Sequence, residues 1–114
     1  MAMLAVAVPV LPGKTEQWRR FIGELTGQHK GAMDTLRRRL GVRERTFFQP
    51  SPRGDLVLVT LEGDDPAAAF AQFAADPHPS VQWFVQQVKE IHGLDLAQPP
   101  PGPLPELVYD LGAT

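Results

Sequence analysis

The chain has no cysteine among its 114 residues. This excludes a disulfide framework, a thiolate metal site and a cysteine nucleophile together, and it suits a reducing compartment, so a cytoplasmic location is expected. It also lacks a long apolar run. The opening MAMLAVAVPVLPG is shorter than the roughly 20 residues of a spanning helix and has no basic stretch before it, so it reads as a strand, not a signal or an anchor. Neither sign of charge dominates: eleven basic residues stand against thirteen acidic ones, which provides no field for a nucleic acid or an anionic membrane. There is no GxGxxG after a strand, no P-loop and no GxSxG. The three histidines, His29, His78 and His92, have no i, i+4 pair and no carboxylate pattern beside them, so no metal site is expected.

What is present is periodicity. Residues 3–8 (MLAVAV) form an unbroken apolar run closed by Pro9, Pro12 and Gly13, the pattern of a strand with turn punctuation. From Lys14 the period changes. Trp18, Ile22, Leu25, His29, Met33, Leu36 and Leu40 recur every three or four residues and make one stripe of a long helix, with Gly41 placed to cap it. Gly23, Gly27 and Gly31 interrupt that helix; each costs about 1 kcal/mol relative to alanine, so a kink or break is expected around ELTGQHKG. Residues 42–49 (VRERTFFQ) and 56–61 (LVLVTL), joined by SPRGD, read as a hairpin. A helix follows, capped by Asp64 or Asp65 with Pro66 in its first turn. Another runs from about Ser80 to His92. Residues 97–106 are a proline-rich connector that cannot be helix interior, and 107–111 (LVYDL) read as a last strand.

The order strand, helix, strand, strand, helices, strand predicts a single α+β domain over residues 1–114. It is a ferredoxin-like split β-α-β arrangement with a four-stranded antiparallel sheet and helices on one face. Such a sheet should alternate apolar and polar residues, yet both sets in 56–61 are apolar, as they are in 3–8. A second covered face is implied, and a homodimer pairing sheet to sheet is the economical way to cover it.

On the last helix, Val81, Phe84, Val85, Val88 and Ile91 fill one arc at about 100° per residue. His92 falls inside that arc, while Trp83 falls outside it among Gln86, Gln87 and Glu90. His92 is therefore expected to face inward at a helix end, bonded to a carbonyl or to a polar strand residue such as Asp110. His29 occupies a slot in an apolar stripe. These two are the candidate acid/base residues, and Trp18, His29, Phe47, His92 and Tyr109 are the candidate lining of a ligand cavity. His78, in DPHP, is expected on the surface. Arg37, Arg38 and Arg39 belong to a last helical turn, where cations suit the helix dipole and are expected to be solvated.

In combination, RRRLGVRERTFFQ, GDLVLVTLEGDDPAAAF and WFVQQVKEIHGLDL resemble the dimeric α/β-barrel superfamily, and within it a bacterial family of uncharacterised proteins, over residues 3–96. The resemblance implies a ferredoxin-like subunit pairing sheet to sheet. It leaves open a small-molecule-binding homodimer without catalysis, a cofactor-free monooxygenase or polyketide-type cyclase using a cavity histidine, and a haem-binding protein. Of these, binding of a small apolar or aromatic molecule without a cofactor is the expectation, since no motif demands chemistry.

Overall fold

The structure, a computed structural model, describes residues 2–100 and 102–112. The first strand, β1 (Ala2–Pro9), leads into helices α1 (Thr15–Leu25) and α2 (Lys30–Leu40), the hairpin strands β2 (Val42–Gln49) and β3 (Leu56–Gly63), and helices α3 (Pro66–Gln72) and α4 (Pro79–His92). The sheet order is β1-β3-β2, with both pairings antiparallel. β1 and β2 therefore run parallel on either side of β3, which makes the first half a split β-α-β unit.

Parity decides what each strand buries. Across one face the register aligns Val6 with Val59 and Thr46, and Val8 with Val57 and Phe48. This face carries the buried Val6, Val42, Val57 and Leu61 and packs under the helices. Trp18 and Phe21 from α1, Met33 and Leu36 from α2, Ala69 and Phe73 by α3, and Val81, Phe84, Val88 and Ile91 from α4 complete the core. Ile91 is fully buried; a side chain of this kind contributes about 1.5–3 kcal/mol by leaving water.

The expected helix break is real. α1 ends at Leu25 and α2 restarts at Lys30. Gly27 sits in the gap, where a Cβ would lie 2.9 Å from the Gly23 carbonyl oxygen, so that turn tolerates only glycine without adjustment. His29, read as a member of a continuous stripe, instead occupies the N-cap position of α2. Gly41 ends α2 in the left-handed conformation, φ 69°, as its position suggested. Asp65 caps α3 by accepting from the Ala68 N–H. His78 caps α4, its Nδ1 accepting from the Ser80 N–H at 3.0 Å, and it is exposed.

The sheet departs from expectation at its far edge. Residues 107–111, read as a fourth strand, have no strand partner. Leu107, Val108, Tyr109 and Leu111 stand 64–81% exposed. A β-pattern in the sequence marks a segment that can pair, and pairing also requires an edge within reach. No described helix is long and apolar enough to cross a membrane.

Candidate functional site

His92 ends α4, and the left-handed Gly93 follows it. The last turn of α4 lies against the end of β1: the Leu11 N–H donates to the Ile91 carbonyl at 2.8 Å. His92 Nδ1 meets the Pro9 carbonyl oxygen, also at 2.8 Å. A carbonyl can only accept, so Nδ1 carries the proton and Nε2 is the bare, basic nitrogen of the neutral ring. Only 8% of the residue is exposed. Burial pushes its pKa below the ordinary histidine value, against the opposing pull of the Pro9 hydrogen bond. The partner is a backbone carbonyl; Asp110, the alternative considered from the sequence, is exposed on the C-terminal tail.

His29 has a different setting. Its Nδ1 lies 2.9 Å from Ser80 Oγ, at the start of α4. Its ring stacks on Trp83, with centroids 3.8 Å apart and planes 17° from parallel. Trp83 in turn packs against Phe21. Trp83, expected to face outward, is instead half-buried against the core, and it and the stripe histidine satisfy each other at the α1–α2 break, an aromatic clasp between that turn and α4.

The five residues expected to line one cavity are not brought together. Trp18 is buried and stacks on Phe48 at 4.6 Å. Trp18 and His92 both reach an interior cavity of about 60 Å³ between helices and sheet. Phe47, adjacent to Phe48, has the opposite parity and opens on the uncovered sheet face, 54% exposed. Tyr109 projects with the tail, and His29 belongs to the clasp. The interior cavity has room for a water or two and none for an aromatic ligand.

A larger concavity lies at the β2 side. This open groove of about 600 Å³ runs between the α1–α2 pair and β2. Trp18, Ile22, Leu25 and Met33 provide its apolar wall; Lys30, Asp34, Arg37, Arg38, Arg43 and Glu44 provide its polar rim. Arg37 was expected to be solvated, and the structure corrects this. Its Nη2 donates to both Glu44 oxygens at 2.8 Å, and both side chains are only 13% exposed. The guanidinium also lies over Phe73 and Phe84, and buried Nη1 has no hydrogen-bond acceptor, leaving those ring faces as its neighbours. Arg39 pairs with buried Asp76 but, unlike Arg37, stays exposed itself, as expected. The His78 N–H, and then Arg39, hold the Asp76 carboxyl below its usual range. Arg38 remains exposed.

The sequence held signals for these pairs. Glu44 shares the parity of Val42 and Phe48, and a carboxylate on a core-facing position demands a cation. Asp76 precedes Pro77, and an aspartate that accepts from the N–H two residues on is a standard turn device. Among the described residues no cluster of His, Asp or Glu is placed to hold a metal ion. No family model, no curated protein and no solved structure matches this chain.

Proposed function

We propose that the protein is a homodimer that binds a small apolar or aromatic molecule in the groove between the α1–α2 pair and β2. The observation that carries the binding reading is the groove itself. Its volume, about 600 Å³, lies in the range of small-molecule sites, roughly 300–1,000 Å³, and an apolar wall with a few polar groups at its rim is their usual composition. Trp18, stacked on Phe48, contributes an edge to the groove's apolar floor, and the break between α1 and α2 leaves Thr26 and Lys30 at its mouth.

The homodimer reading is supported by the uncovered sheet face. Phe47 and Leu58 are cross-strand partners there, flanked by Ala7 and Leu56, and they leave an apolar surface on a sheet that has helices on its other side only. Sheet-to-sheet packing of two copies would cover it. The cyclase or monooxygenase alternative rests on the bare Nε2 of His92, which lines both the small interior cavity and an open groove of about 330 Å³ beside β1; it has less support because the residue is only 8% exposed.

Trp18 fluorescence tests the binding reading. In a Trp83→Phe background, titration with a naphthoate or an anthraquinone should quench Trp18 saturably, and Ile22→Arg, which fills the groove, should abolish the effect. Quenching that is linear, or unaffected by Ile22→Arg, would sink it.

A further inference from the structure

The β1 strand has an open edge of defined length. The Val10 N–H donates to the Asp55 carbonyl, and in an antiparallel ladder such bonded pairs alternate. Val8, Val6 and Leu4 therefore bond β3, and Ala7, Ala5 and Met3 direct their N–H and C=O groups to the other side. At Pro9 and Leu11 that side is covered, by His92 Nδ1 and by the Ile91 carbonyl respectively. From Met3 to Ala7 no backbone partner is present among the described residues. An unpaired edge next to an apolar face is a ready template for another strand.

The same chain carries a segment of matching length. Residues 107–111 alternate so that Leu107, Tyr109 and Leu111 share one face and Val108 and Asp110 the other. These five residues equal the five of the open edge, and all five stand exposed. The connector before them lines grooves beside β1, of about 330 and 590 Å³, with Pro100, Leu104 and Pro105 among the wall residues. Its prolines restrict φ and hold it there, so the tail beyond Pro105 stands clear of its own subunit.

We propose that residues 107–111 of each chain pair as an edge strand with residues 3–7 of a second copy of this chain. The exchange is two-fold: each copy gives one strand and receives one, and both open edges are closed. It also supplies area. Three strands of eight residues outline a narrow face, roughly 26 by 14 Å at the usual spacings. A fourth, exchanged strand widens that face and adds main-chain bonds between the copies. The exchange goes beyond the binding reading and needs no ligand.

The absence of cysteine makes the test direct. Ala5 and Tyr109 are the central residues of the two segments, so they meet whichever way the strand runs. Two single variants, Ala5→Cys and Tyr109→Cys, are refolded together, oxidised and resolved without reductant. The expected result is a disulfide-linked heterodimer exceeding either homodimer at least tenfold, together with a doubly linked dimer from the double variant alone. A double variant that yields only internally linked monomer would overturn the exchange in favour of closure within one chain. No linkage between the two positions would overturn it as well. A third arm uses Tyr109→Pro, which removes an N–H from the strand and leaves the exposed tail otherwise intact. It should weaken self-association at least tenfold in sedimentation, and unchanged association would count against the exchange.

Discussion

His92 holds two elements together with one proton. Its Nδ1–H ties the end of α4 to Pro9, and glutamine at that position cannot reproduce the ring's reach. His92→Gln should cost about 1–3 kcal/mol in denaturant unfolding, the usual effect of an unmade buried hydrogen bond. The pH dependence follows from the lowered pKa. The unfolded chain takes up the proton first, near pH 6.5, while the folded chain resists it. Stability from this residue is therefore fully present above about pH 6.5 and is lost as pH falls towards and through the lower folded value. Unfolding measured at pH 7.5 and at pH 5.5 should show a decline in the parent that is smaller in His92→Gln; equal declines would remove His92 as its source. The arginines divide in a comparable way. Glu44→Ala leaves Arg37 nearly buried without its carboxylate and should cost about 2–4 kcal/mol, somewhat less than for a fully buried pair because both partners keep some contact with water. Arg38→Ala, on an exposed side chain, should stay within about 0.5 kcal/mol of the parent.

At the level of elements, the glycines separate by what surrounds them. Gly23 lies inside α1 with open space where a Cβ would go, so Gly23→Ala should raise stability by about 0.5–1 kcal/mol. Gly27→Ala brings its Cβ against the Gly23 carbonyl and should show no such gain, since the turn between α1 and α2 must shift to admit it. Gly63, at the end of β3, is tighter still: a Cβ there would collide with the Gly41 carbonyl oxygen and press on Val42. Gly63→Ala should therefore cost on the order of 2–3 kcal/mol, as overpacking against fixed backbone does. Thermal melts of the three variants give the order directly. A Gly27→Ala variant as stable as Gly23→Ala would mean that the turn is soft.

For the whole molecule, the prediction concerns concentration. If two copies fold as one unit, a tenfold increase in protein should raise the melting temperature by about 2–4 °C, because association is then part of folding stability. Phe47→Arg places a charge on the uncovered face without touching the core and should remove that dependence while leaving helix content unchanged. A melting temperature independent of concentration in the parent would dismiss the homodimer, whatever the fate of the groove.

Local chemistry determined much of this protein before any tertiary contact was considered. Short apolar runs and a period of 3.6, with the SPRGD turn, Gly41, Pro66 and Gly93 as punctuation, mark three strands and the helices near their observed bounds, because these preferences act over a few residues. The inward direction of His92 was legible for the same reason, as was the break near Gly27. Long-range geometry decided the remainder. Phe47 and Phe48 are adjacent and chemically alike, and only the register with β3 determines which of them meets Trp18. Arg37 and Glu44 read separately as a helix-end cation and a strand carboxylate; the packing of α2 on β2 makes them a near-buried pair. His29 joined Trp83 and Ser80 once the break released it from the stripe. Residues 107–111 have the alternation of a strand, but a strand exists only where an edge receives it, and an edge is a property of the folded sheet, not of the segment.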